Sequence, residues 1–248
     1  IWVSLFVIPL GMEHALTGKI ARNTLVQIVG KAAGLVASVL TIALITRSLG
    51  STGFGHYATV LALLQVAAAL ADLGLQMTAV QLLSRPGSDA GRMLGNLLGL
   101  RLATTADALT AAVLVGINLP YPPAVKLGLL VAAGAYVGAA VTSVLSGWFQ
   151  QQLAMGWVAA SDLIGKIALL LLVWAAVSGR GDLTGVLAAT TVASVLAAAV
   201  LLARAGRRLP LRPRFEPAVW REILAFTWPL ALTIAFNLIY FKADTVVL

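Results

Sequence analysis

The sequence predicts an all-α protein, a polytopic bundle of transmembrane helices, on three observations. Hydrophobic residues fill 60% of the 248 positions and charged residues only 10%, against the ~25% charged that a soluble domain uses. Mean hydropathy is +0.97, which leaves too little polar surface to cover a water-facing shell. The apolar residues also fall in stretches of roughly 20 or more, the length that crosses the hydrocarbon of a bilayer, parted by turn-forming or charged punctuation.

Seven spans follow in order. The first, 23–46, starts after Lys19 and Arg22 and stops before Gly50-Ser51-Thr52-Gly53. The second, 57–83, stops at Ser84-Arg85-Pro86-Gly87-Ser88, and the third, 92–118, at Pro120-Tyr121-Pro122-Pro123. All three stops favour turns over helix. The fourth, 124–149, ends in Trp148, Phe149 and three glutamines, which reads as an interfacial aromatic anchor and helix exit. The fifth, 157–177, runs to Ser178-Gly179-Arg180-Gly181-Asp182, and the sixth spans 183–203. The longest connector then carries three prolines and six arginines between Arg204 and Arg221 and separates this block from the seventh span, 223–248. The organisation expected is an N-terminal extension over 1–18, a six-helix lobe over 19–203, a cytoplasmic basic linker over 204–222, and the first helix of a second lobe over 223–248. Residues 1–11 are apolar but lack a basic n-region, so they do not read as a signal peptide. Met12 is a candidate initiator, a fragment is the alternative, and the apolar end at Leu248 reads as truncation.

The formal charge of +8 orients the helices. Lys19, Arg22, Arg85 and the linker arginines fall on one side, against Arg47, Lys126 and Arg180 on the other, so the positive-inside bias puts the amino terminus and the linker in the cytoplasm. Binding to anionic headgroups explains the linker arginines equally well. Without interleaved aromatic residues, the basic excess does not signal nucleic acid. The chain has no cysteine and two histidines, too few ligands for a zinc site. Walker, HExxH, nucleophile-elbow and dinucleotide motifs are lacking, and Asp72, Asp107, Asp162 and Asp244 are scattered over four spans, so neither a catalytic residue nor a cofactor is expected.

Charges within spans cost ~3 kcal/mol each at the helix centre, so each should face a cavity or a partner. In the first span Asn23, Gln27, Lys31, Gly34, Ser38 and Thr41 recur at steps of three or four and form one polar, small stripe. It is either a close helix interface with Lys31 snorkelling to the cytoplasmic surface, or a cavity lining. The second span sets Gln65, Asp72 and Gln76 on one face, where Asp72 is a proton or cation site or the partner of a base. In the third, Arg92 and Asn96 share one side and Arg101 lies on another, deep enough to meet a phosphate drawn inside the headgroup plane. Asp162 and Lys166, four apart in the fifth span, form the favourable order of an intrahelical pair. In the seventh, Asn237 and Asp244 are cavity candidates.

The run Thr46-Arg47-Ser48-Leu49-Gly50, followed by Phe54-Gly55-His56-Tyr57-Ala58, resembles the first outer loop of polysaccharide flippases. Asp72-Leu73-Gly74-Leu75, then Ala79-Val80 and Leu83-Ser84-Arg85, is similar to the end of their second helix, and Trp228-Pro229-Leu230 to the opening of their second lobe. Gln81 stands where that family often has a base. The resemblance covers nearly all of residues 17–248 and is to the Wzx-type branch of the multidrug, oligosaccharidyl-lipid and polysaccharide exporter superfamily. It implies two six-helix lobes around a cavity that opens alternately to each side of a bacterial cytoplasmic membrane. The cargo implied is a polyprenyl-diphosphate-linked oligosaccharide, with membrane lipids, H+ or Na+ as coupling ion, and polysaccharide-synthesis proteins as further partners. On that reading Lys31 and Arg101 receive the diphosphate, Gln27, Asn96 and Asn237 bind sugar hydroxyls, and Asp72 and Asp244 couple the ion. The rivals are a multidrug cation antiporter of the same superfamily and a non-transporting scaffold of a polysaccharide synthase.

Overall fold

A computed structural model of the chain describes residues 10–72, 74–84, 89–179, 181–209 and 211–247, with side-chain environments from residue 27 to residue 233 within those stretches, residue 230 excepted. The described residues are helical with short connectors, the all-α bundle that the apolar runs predict. We number the helices α1 (Leu10–Asp72), α2 (Leu75–Leu83), α3 (Ala90–Asn118), α4 (Pro123–Gln151), α5 (Met155–Gly179), α6 (Leu183–Gly206) and α7 (Pro217–Val247). Five described helical stretches are long and apolar enough to cross a membrane, and the first of these, Gln27–Leu83, is far longer than one crossing requires.

That length resolves at Gly50, where φ is 65° and ψ −174°, so α1 is two limbs meeting at a break. The positive φ is open to glycine and costly to other residues. The loop expected around residues 50–53 is therefore a single non-helical residue between two limbs. Gly74, with φ 89°, makes a second break before α2 resumes the same crossing. The remaining termini follow from local chemistry. Asp89 caps α3 by accepting from the Arg92 amide at 3.0 Å, and Asp182 caps α6 by accepting from the Gly185 amide at 3.2 Å. Pro123 opens α4, where its missing N–H is not needed. The seventh helix begins at Pro217 for the same reason, earlier than the apolar run alone indicates.

Small residues let the helices approach closely, as association in lipid requires. A Cβ added to Gly138 of α4 would lie 3.0 Å from the Ser194 backbone of α6, and one on Gly134 would lie 2.7 Å from the Thr191 methyl. Across this seam Thr191 and Ser194 donate to the Val131 and Ala135 carbonyls at 2.8 and 2.6 Å. Ser161 of α5 likewise donates to Ala197 of α6 at 3.0 Å. Large side chains such as Leu35, Val36, Val66, Leu171 and Trp174 stay exposed on the outside, as a lipid-facing surface would have them. The chain is thus a multi-pass membrane protein.

Trp148 and Phe149 depart from the sequence expectation. They are only 3% exposed and meet edge-to-face at 4.8 Å inside the core, so they do not anchor the surface. Trp157, just beyond them, is 43% exposed, with the Arg204 guanidinium 4.5 Å above its ring.

Candidate functional site

The first limb of α1 and helices α4, α5 and α6 enclose a cavity of about 530 Å³. Gln27 and Lys31 enter it from α1, Thr142 and Ser143 from α4, Asp162 and Lys166 from α5, and Thr190 and Ser194 from α6. Its charged residues are two lysines and one aspartate, a net positive lining. Lys166 stands eleven residues beyond Met155, roughly 16 Å along α5 at 1.5 Å per residue and so near the middle of a ~30 Å hydrocarbon layer. Its ammonium donates to Asp162 Oδ2 at 2.8 Å, the intrahelical pair that the spacing predicts. The lysine stem also crosses α1, since a Cβ on Gly34 would lie 2.9 Å from Lys166 Cδ and 3.3 Å from Nζ. Gly34 follows Lys31 by three residues and so lies on the same face of α1.

The hydroxyls have defined roles. Thr142, Thr190 and Ser194 donate to the backbone carbonyls of Gly138, Val186 and Ala135 at 3.0, 3.0 and 2.6 Å. Their protons are committed, so toward the cavity they offer lone pairs. Ser38 and Thr41, higher on the α1 stripe, donate to Gly34 and Ala37 at 2.8 Å and serve the helix itself.

Three other residues expected at that site, Arg101, Asp72 and Asn96, lie in two other places. Arg101, 7% exposed, forms an ion pair with Asp72 at 2.9 Å, next to the Gly74 break. Neither lines the cavity. Expected as anion receptor and ion coupler, the two are here each other's counter-charge, which spares a buried cation the cost of lacking one. Thr104 reinforces the link by donating to Ala71 at 3.4 Å.

Asn96 is fully buried and is not free for sugar. Its amide donates to Glu216 Oε1 at 3.2 Å, and its carbonyl oxygen accepts from the Glu216 amide at 3.0 Å. Arg92 Nε donates to Glu216 Oε2 at 2.9 Å, so Arg92 and Asn96 do share a side, and it faces the linker. The hydrogen bond from Arg92, then that from Asn96, holds the Glu216 carboxyl down at about 2. Beneath this clasp the Arg214 amide donates to Gly95 at 2.9 Å, and a Cβ on Gly99 would fall 2.2 Å from the Arg214 carbonyl oxygen. The basic linker is thereby laid into a glycine groove of α3. The side chains of Asn237 and Asp244 lie outside the described residues.

A second groove of about 580 Å³ runs between the second limb of α1, α3 and α7, where Asp107, Thr104, Thr227 and Trp228 face it. Thr227 ties α7 to α2 by donating to Thr78 Oγ1 at 3.0 Å. No group of three or more potential metal ligands occurs among the described residues.

A family model described as "Polysaccharide biosynthesis protein" matches residues 20–248. No curated protein and no solved structure matches the chain. The family match takes in α2 to α7, α1 from residue 20 onward and every residue that lines the cavity, and by it the chain belongs to the polysaccharide biosynthesis protein family.

Proposed function

We propose that this chain forms the cargo-receiving half of a transporter that flips a polyprenyl-diphosphate-linked oligosaccharide across a bacterial cytoplasmic membrane. The observation that carries the reading is the cavity itself: a hollow whose largely apolar wall carries two lysines and one aspartate, between helices whose outer faces are apolar. A diphosphate crossing the hydrocarbon needs cations in a sheltered path, where ionic hydrogen bonds are strong. Lys31 supplies the free cation, since no salt bridge engages it among the described residues, and Gln27 one turn earlier offers its amide to sugar hydroxyls. The lipid tail stays in the bilayer.

The positive balance of the lining argues against a cation cargo, and the hollow against a closed scaffold. Residues 19–203 form one lobe in this reading, with the linker and amino terminus on the cytoplasmic side and α7 opening the second lobe, where Asn237 and Asp244 would contribute. Coupling to H+ or Na+ belongs to the whole transporter. The test is Lys31→Gln in the full-length protein, assayed for polysaccharide export in a strain lacking its own flippase. Export falls by at least tenfold while the protein still reaches the membrane. Wild-type export in that variant would remove the basis for the reading.

A further inference from the structure

We propose that Asp162 is a built-in stand-in for the cargo's phosphate: it neutralises Lys166 while the cavity is empty and yields that lysine to the incoming diphosphate, so that Lys31 and Lys166 together grip it. This rests on the reading of the cavity as the cargo site.

Three observations support it. The pair lies inside the cavity, with the Asp162 side chain 50% and the Lys166 side chain 34% accessible, so both ions can be reached by a ligand. Lys166 also leans away from its own helix onto α1, over Gly34, whose missing side chain leaves room for the ammonium one turn from Lys31. Two cations from different helices thus line one cavity, and its one carboxylate is bonded to the second of them. Finally, a lone lysine at mid-membrane depth would be costly when no cargo is present. A carboxylate four residues earlier removes that cost, and its half-exposed bond is weak enough to exchange. The neighbouring elements present no other charge to the cavity, since α4 and α6 contribute only hydroxyls and small or apolar side chains. Exchange of one oxyanion for another is reversible, and Asp162 reclaims Lys166 as the diphosphate leaves.

The test uses the full-length transporter in detergent and measures binding of farnesyl diphosphate against farnesol and phosphatidylglycerol, alongside export in cells. Asp162→Asn, a same-sized change, tightens farnesyl diphosphate binding by about fivefold, the equivalent of a partly exposed ion pair, and slows export because release is impaired. Lys166→Met weakens binding by a similar factor, and Lys166→Arg restores it. Wild-type binding in both Asp162→Asn and Lys166→Met, with loss confined to Lys31→Gln, overturns the proposal and leaves the cargo site intact. A wild-type protein that binds farnesol or phosphatidylglycerol as well as the diphosphate overturns both. If Asp162→Asn lowers the unfolding temperature, Asp162→Ser provides the same comparison, and an affinity no higher than wild type there also counts against the proposal.

Discussion

Lys31 and Arg101 look alike in sequence, one cation in each of two spans, yet the structure gives them different work. Lys31 faces a hollow, whereas Arg101 is consumed by Asp72 across the α1–α3 contact. This contrast makes a thermodynamic prediction. Arg101→Gln and Asp72→Asn should each destabilise the solubilised protein by about 1–3 kcal/mol, less than the ~3–5 kcal/mol for breaking a fully buried pair because Asp72 is partly accessible. The double variant should lose less than the sum, and thermal unfolding of the four proteins in a double-mutant cycle measures the difference. Strict additivity would mean the two do not interact. Glycines give a second residue-scale prediction. At Gly99 the obstruction is linker backbone, which cannot swing aside, so Gly99→Ala should cost about 1–3 kcal/mol in the same assay. At Gly156, where a Cβ meets nothing within 4 Å, alanine should leave the unfolding temperature unchanged.

Among the elements, the linker over α3 is the least expected. Its prolines and arginines read as a basic linker between lobes, and in the structure Glu216 binds Arg92 and Asn96 and the Arg214 amide binds Gly95. The Glu216 carboxyl is held at about 2, below its ordinary value of 4.5. A depressed acid stabilises in full above its ordinary value and loses that contribution as pH falls through the depressed one. Hydrogen-exchange protection of the Arg214 amide should therefore persist from pH 7 to pH 4 and fade toward pH 2, while Glu216→Gln should lose much of it already at pH 7. Protection that collapses between pH 5 and pH 4 would contradict the clasp.

Helix ends were legible in the sequence where their signals are local. The expected 92–118, 124–149, 157–177 and 183–203 lie within a few residues of α3 to α6, because Asp caps, prolines and glycine turns act on neighbouring backbone. The stripe of Gln27, Lys31 and Gly34 was legible for a similar reason, since helical periodicity places such residues on one face. Contacts between helices were not. Nothing local in α3 shows that Arg101 meets Asp72 or that Asn96 meets Glu216 from 120 positions away. Nor does α4 or α6 show which hydroxyls will line the cavity. Trp148 and Phe149 illustrate the same limit, because the end of a span reads as interface until the packing of α2, α3 and α6 around it is known.

On the scale of the whole molecule, an apolar exterior surrounds a cavity that carries three charged side chains, and a basic linker lies against α3. Residues 1–248 contain no cysteine, so a cysteine introduced here is read against the unmodified full-length protein as the blank. Ser51→Cys should react with an impermeant maleimide added outside the cell, and Gly206→Cys only after the membrane is opened. The reverse pattern would invert the proposed topology.

The most direct test of the cavity is Ser143→Cys, whose side chain would line the hollow beside Lys31. In inside-out membrane vesicles containing the full-length protein, a charged methanethiosulfonate should modify this cysteine, and farnesyl diphosphate, but not farnesol, should protect it. A cysteine that stays unmodified, or is modified at the same rate whether or not the diphosphate is present, would contradict an anion-receiving cavity.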